Sequence, residues 1–268
     1  MAIVKGFQKI TGALQNATFY TIQGSDQVYV RMKGGPSKRM IKTSPKFEKV
    51  RRNNEEWKGC TRLAKAMRDS FYPLKSLEDY PVIGALNAIA KQIQLTDTEG
   101  THGKRGLYLS KNKDLLGGFS LSRKQVLESV LRAPISTVIH REEQTAQVTI
   151  PSINTGMYLY NFRNLPYFRI IMAFAVVLDM GFSEEKNRYE TLCSDELGVY
   201  AHFESPWLST TGVAPALNQT LKLPLAENNL PESVTLVLSI GVEFGKAGAD
   251  GNPEAVKYTG CGKVVQVG

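Results

Sequence analysis

The sequence predicts an α+β fold: a mainly antiparallel β-sandwich body preceded by a β-hairpin and a two-helix hairpin. Three observations carry this expectation. Short runs rich in aromatic and β-branched residues, set apart by Gly, Pro, Asn and Asp, open the chain and fill its second half. Between them, from Phe47 to Phe71, apolar residues recur at helical steps of three and four. No segment repeats at a solenoid or propeller period, and strands do not alternate with helices as a βαβ sheet requires. The expected boundaries are residues 1–43 for the hairpin and a basic turn, 44–96 for the helical hairpin and 97–268 for the β body.

The hairpin is carried by "FYTIQGSDQVYVR", where Val28 and Val30 alternate with Tyr29 and Arg31 and Gly24 and Asp26 supply turn chemistry. "KGGPSKRMIKTSP" then breaks the pattern. Ser44-Pro45 reads as a helix start, since serine caps free N–H groups and proline loses nothing at the first position. Phe47, Val50, Trp57, Leu63, Ala64, Met67 and Phe71 form the expected apolar stripe, with Trp57 buried and the helix ending near Tyr72, before Pro73. Ser76 and Asp79 have capping-box spacing, and Tyr80, Ile83, Asn87, Ala90 and Ile93 then follow one face of a second helix. The two helices must lay their apolar faces on the rest of the chain.

After "TDTEGTHGKRG", read as a solvated loop, come strand-like runs: "GLYLS", "GFSLS", "STVIHR", "AQVTIPSI", "YFRIIMAFAVVLDM", "GVYAHF", "LKLPL", "SVTLVLSIGVEF" and "VKYTGCGKVVQV". Val234, Leu236, Leu238, Ile240, Val242 and Phe244 alternate onto one face, and "GKAGADGNPEA" reads as a hairpin loop.

The opening "FYTIQGSDQVYVRMKGGPSK", followed by "KFEKVRRNNEEW", resembles a family of proteins from Bacteroidetes genomes and their mobile elements. In that family a short hairpin ending in "VR" and a small-residue turn precede a helix with an "F…R…E" pattern. The resemblance covers about the first 70 residues, with weaker echoes in the β half. It implies kinship and brings no activity, cofactor or site residue with it.

The net charge of +8 is localised. Residues 31–68 hold 13 Lys/Arg and 3 Asp/Glu, whereas the rest of the chain holds 20 and 22. Such a segment attracts polyanions, whether nucleic acid, an acidic protein face or anionic lipid. Lys38, Arg39, Lys42, Arg51, Arg52, Arg62, Lys65 and Arg68 are the expected polyanion or subunit docking residues, lying off the apolar stripe and on the turn before it. No reading module surrounds them, so phosphate contact without sequence preference is the chemistry to expect of nucleic acid.

Motifs for other chemistry are missing. His102, His140 and His202 are far apart, and there is no C-x-x-C, H-E-x-x-H, G-x-S-x-G or Walker spacing. "GADGNPE" lacks the remaining acidic ligands of a calcium loop. Cys60, Cys193 and Cys261 are an odd, widely spaced set and read as buried free thiols rather than a disulfide framework. No catalytic residue, metal site or cofactor is therefore expected; an enzyme would need His140 or His202 brought near Asp195 or Glu204 by folding. The N-terminus has no unbroken apolar signal region, and no run is long and apolar enough for a membrane span, so synthesis in the cytoplasm is expected. The leading functional expectation is a non-catalytic structural protein that forms a homo-oligomeric ring, filament or shell. The alternative is a sequence-independent nucleic-acid-binding protein acting through residues 31–68.

Overall fold

A computed structural model of the chain describes residues 2–4, 11–22, 26–32, 34–193, 199–225 and 230–268, and every structural statement concerns these. The chain divides into two compact units, residues 1–51 and 52–268.

The first unit is a four-stranded antiparallel sheet of β1 (Ala2–Val4), β2 (Gly12–Leu14), β3 (Ala17–Thr21) and β4 (Val28–Met32), in the order β1-β4-β3-β2. The expected hairpin is β3–β4, with Tyr20 opposite Tyr29 and their rings stacked at 5.9 Å. Part of its turn, residues 23–25, lies outside the described residues. β1 and β2, three residues each, are too short to show a period of two in sequence. Residues 38–42, expected in a turn, form a short helix instead, α1 (Lys38–Thr43). The Ser37 hydroxyl caps it by accepting a hydrogen bond from the Met40 N–H at 3.2 Å, and Gly34-Gly35-Pro36 just before it hid this start. A 3-10 turn over Pro45–Phe47 then leads into α2 (Glu48–Asp69).

The second unit takes up most of α2. The helix buries Glu56, Gly59, Cys60, Leu63, Ala64 and Met67. The lower half of the expected stripe is right, but the upper half is displaced. Trp57 is 47% exposed and Val50 is also exposed, because the buried line runs through Glu56, Gly59 and Cys60, on the adjoining side of the helix. The Ser76–Asp79 capping box does not form. Ser76 lies in a 3-10 turn over Tyr72–Leu77 and donates to Glu243 at 2.8 Å. Asp79 accepts from the Ser122 hydroxyl at 2.7 Å and from the Arg123 and Lys124 N–H groups at 2.9 Å each. α3 (Ile83–Thr96) begins later and buries Leu86, Ala90, Ile93 and Gln94, leaving Ile83 exposed.

Beyond α3 the elements are α4 (Leu127–Val130), β5 (Ser136–His140), β6 (Thr145–Ile150), β7 (Ile153–Asn154), α5 (Thr155–Tyr158), β8 (Tyr167–Leu178), β9 (Met180–Ser183) and β10 (Arg188–Thr191). They continue with β11 (Tyr200–Glu204), β12 (Leu208–Ser209), β13 (Val213–Ala214), β14 (Leu217–Lys222), β15 (Val234–Ala247), β16 (Pro253–Ala255) and β17 (Cys261–Val267). β8 and β15 pair antiparallel along their whole length and form the middle of a six-stranded sheet, with β11 and β12 on one side and β16 and β17 on the other. "GLYLS" and "GFSLS", expected as strands, contribute only isolated bridges, Leu107 to Met180 and Ser120 to Lys263. The "GADGNPE" turn links β15 to β16 as expected, with Gly251 at φ 82° and Asp250 accepting from the Asn252 N–H at 3.1 Å.

The central sheet is covered on both faces. Phe168, Ile170, Met172 and Phe174 of β8, with Leu236, Leu238, Ile240 and Val242 of β15, meet Val148 and Ile150 of β6 and Leu221 of β14. β5, β6 and β14 form a three-stranded sheet, so two sheets enclose one core, as the sandwich expectation required. The other face, Ile171, Ala173, Val177, Val237 and Val264, packs against Leu63 and Met67 of α2, Leu74, Leu77, and Leu86 and Ile93 of α3. This layering explains why "YFRIIMAFAVVL" is apolar without alternation: both its faces are dry.

Close approach of the helical layer needs a small residue on β15. A Cβ at Gly241 would collide with Leu77 Cδ1 and sit 3.0 Å from the Cys261 carbonyl oxygen. Gly241→Ala is therefore expected to cost about 1–3 kcal/mol. Gly84→Ala in α3, where a Cβ meets nothing within 4 Å, should instead stabilise by about 0.5 kcal/mol. Urea midpoints of the two variants test the pair of signs.

Candidate functional site

The eight cations singled out by sequence do not all stand free of partners. In the first unit Lys38, Arg39 and Lys42 project from α1, are exposed and make no ion pair among the described residues. Arg51 is drawn inward within that unit, its guanidinium donating to the Ile41 and Ser44 carbonyls at 2.8 Å each. In the second unit Arg52 is exposed, and Arg68 is clamped to Glu78 by two bonds of 3.1 and 2.7 Å. Lys65 pairs with Asp69 one helical turn on at 3.0 Å, an exposed contact of small worth. The Arg62 guanidinium donates to the Tyr189 carbonyl, a neutral partner. Arg51 and Arg68 thus serve the fold. The first has its carbonyl partners at the end of α1 and the second a carboxylate ten residues on, neither of which follows from helix periodicity.

Arg62 and Lys65 do meet other cations. They line a depression of 640 Å³ with Lys186 and Arg188 of the β9–β10 hairpin. Its carboxylates are Asp69, paired with Lys65, and Glu190, which takes both Lys186 at 3.0 Å and Arg188 at 2.7 Å. Four cations against two carboxylates leave an excess of two positive charges. Periodicity within α2 does not reveal Lys186 and Arg188, because the β hairpin that brings them there is distant in sequence.

Below this surface lies the most constrained polar group of the helix. The buried Glu56 carboxylate accepts from Arg105 Nε at 2.8 Å and Nη2 at 3.0 Å, from the Gly103 N–H at 2.9 Å and from Lys91 Nζ at 3.2 Å. Burial works against its ionisation, and the Arg105, Gly103 and Lys91 donors outweigh it, holding the carboxyl below its usual range. The "GTHGKRG" loop, expected to be solvated, is pinned from both ends. Gly103 and Gly106 are buried, and Asp97 accepts the Gly100 N–H at 3.0 Å and the Gly106 N–H at 2.6 Å. Tyr189 closes the network by donating to the Arg105 carbonyl at 3.0 Å.

The cysteines and histidines lie apart from one another among the described residues. Burial pushes the Cys60 thiol up to about 11 and the Cys261 thiol up to about 12, far from the thiolate range. Cys193 is half-buried and free, its sulfur 2.9 Å from the Ser233 hydroxyl. His102 touches Asn53 at 2.7 Å, His140 lies on β5, and His202 lies on β11 with its ring against Tyr200. Glu204, two residues beyond His202, pairs with Arg169; Asp195 lies outside the described residues. No group of three metal-ligating side chains comes together, and no helix is long and apolar enough to cross a membrane, both statements holding for the described residues.

Comparison with protein-family models, curated proteins and solved structures finds no match for this chain.

Glu56 makes a prediction of definite sign. A carboxyl whose folded pKa lies below its unfolded value stabilises fully above the unfolded value, and this is lost as pH falls through the folded one. Glu56→Gln, which leaves Arg105 without its charge partner, should cost about 3 kcal/mol or more at neutral pH. The gap between wild type and variant should then shrink below about pH 4. Urea denaturation of both proteins between neutral and acid pH measures it, and a gap that stays constant to the acid limit contradicts the assignment.

Proposed function

We propose that this chain is a non-catalytic structural protein that assembles with further copies of itself through its amino-terminal unit. The observation that carries this reading is how little that unit buries. Within residues 11–22, 26–32 and 34–51 only Val28 is buried, while Leu14 is 66% and Met32 70% exposed, and Met40 is exposed too. One buried side chain among those residues is a small core, so an outside contact would add much to the stability of that part of the unit. The occupant proposed is a second copy, because the edge strands β1 and β2 leave their outer hydrogen-bonding groups available to an equivalent strand. Light scattering over a range of concentrations should show a multimer, and electron microscopy a ring, filament or shell. Leu14→Lys with Met32→Lys should give a monomer in which residues 52–268 stay folded. A wild-type protein that is strictly monomeric at high concentration ends this reading.

A second reading rests on a separate observation. The first unit holds ten Lys/Arg against two Asp/Glu, whereas residues 52–268 hold 23 of each. Lys38, Arg39 and Lys42 of that unit are exposed and without ion pairs among the described residues, which suits phosphate contact without sequence preference. Binding of DNA and RNA oligomers should weaken steeply with salt. Lys38→Glu with Arg39→Glu and Lys42→Glu should lower the salt slope by about 0.7–0.9 for each phosphate the variant no longer neutralises. Absence of binding by wild type at low salt ends it.

A further inference from the structure

Three depressions of the second unit are linked in a row by shared lining residues. The 640 Å³ depression lined by Arg62, Lys65, Lys186 and Arg188 adjoins one of 370 Å³, the two sharing Ala66, Asp69, Met180 and Thr191. The second adjoins a third of 580 Å³ through Tyr72. Three exposed tyrosines line this path: Tyr72 is 55%, Tyr200 46% and Tyr258 65% exposed. Lys75 Nζ sits 5.3 Å from the centre of the Tyr72 ring, and Lys257 lines the same end of the path together with Glu78 and Asp79, so the charges there balance.

Three exposed tyrosines beside linked depressions call for explanation. Tyr258 adopts φ +60°, a left-handed conformation that costs a side-chain-bearing residue about 1–2 kcal/mol, and its ring packs on no aromatic or cation among the described residues. That conformation belongs to the turn from β16 into β17, which Thr259 closes by donating to the Val256 carbonyl at 2.6 Å, and it leaves the residue exposed. At the other end of the path, two positive charges exceed the carboxylates present.

We propose that this path binds single-stranded nucleic acid, with phosphates at the Arg62, Lys186 and Arg188 end and bases stacked on Tyr72, Tyr200 and Tyr258. A single strand presents both parts at once: a chain of monoanions and unpaired planar rings. Exposed aromatic faces beside an excess of positive charge suit that ligand. A duplex does not satisfy the tyrosines, because its base faces are already covered. An acidic peptide satisfies the cations but leaves the rings in water. The inference is independent of α1 and of assembly, since every residue it uses belongs to the second unit.

The test is fluorescence anisotropy of the full chain with a labelled twelve-nucleotide oligo-dT, a duplex of equal length, and polyglutamate as competitor, each at two salt concentrations. The single strand should bind more tightly than the duplex, and polyglutamate should compete poorly. Tyr72→Ala, Tyr200→Ala and Tyr258→Ala should each weaken binding by about fivefold to a hundredfold with the salt slope unchanged, while Tyr72→Phe keeps wild-type affinity. Lys186→Glu with Arg188→Glu should lower the slope by about 0.7 for each phosphate left without its cation. All these side chains are exposed, so thermal melts should match wild type. Duplex bound as tightly as single strand, full affinity in all three alanine variants, or equal competition by polyglutamate overturns the proposal. Loss confined to the Lys38, Arg39 and Lys42 variant overturns it too, and assigns the binding to α1.

Discussion

The Glu56 carboxylate is the constraint on which the helical layer depends. A buried charge costs several kcal/mol unless its lone pairs are filled, and here four donors from three places fill them. Arg105 and Gly103 belong to a loop, Lys91 to α3, and Glu56 itself to the middle of α2. Helix, helix and loop are therefore fixed to one atom pair, and a slide of α2 by one turn would strand the charge. Gly59, on the same helix, lets neighbouring side chains pack close against it. A Cβ there would lie 2.8 Å from Leu107 Cδ1 and from Tyr189 Cδ1, so only glycine admits both side chains without displacement. Tyr189 then reaches the Arg105 carbonyl and ties β10 to the same knot. The cationic depression is built on this knot, since Arg62 donates to the Tyr189 carbonyl and Arg188 and Glu190 are the neighbours of Tyr189 in the strand.

Much of the architecture was legible in the sequence because it follows from periodicity. The even-numbered face of β15, the β3–β4 hairpin and the lower half of the α2 stripe are all simple alternations or helical steps. What failed did so for identifiable reasons. A reader weighing hydrophobicity places Trp57 inside and Glu56 outside, and the true order is reversed because Arg105 and Lys91, remote in sequence, make the acid the better-satisfied buried group. The odd-numbered face of β15 carries Thr235, Ser239, Gly241 and Glu243, which look like a wet face; they are buried because a helical layer needs small residues there, and because Arg169 neutralises Glu243 at 2.7 Å. "GTHGKRG" looks like a solvated loop for the same cause: its N–H groups go to two carboxylates, one of them in a different helix.

The candidate sites divide in the same way. Charge counting located the basic segment but could not tell a free cation from one with a partner, since partners are set by tertiary contacts. Arg51 and Arg68 were absorbed into the fold, Lys38, Arg39 and Lys42 were not, and Lys186 and Arg188 joined Arg62 from outside the segment. Tyr72, Tyr200 and Tyr258 carry no pattern in sequence at all; only the packing of the 3-10 turn, β11 and the loop before β17 sets them along one path.

The charge balance separates the readings of function physically. The first unit has a large excess of cations and few buried side chains, so anything it contacts must offer both negative charge and apolar surface, or else two contacts must supply them separately. A neighbouring copy meets the apolar requirement through Leu14 and Met32, and offers no net negative charge to the α1 cations, since the remaining residues of each chain are balanced. A polyanion meets the electrostatic requirement and cannot cover apolar side chains. The two readings are therefore complementary rather than exclusive: an assembly whose copies meet through apolar side chains still leaves Lys38, Arg39 and Lys42 to repel one another unless a polyanion lies among them. Self-assembly of such a chain should accordingly respond to salt in the sense opposite to nucleic-acid binding, strengthening as screening rises, because like charges, not paired ones, are what salt relieves at that interface.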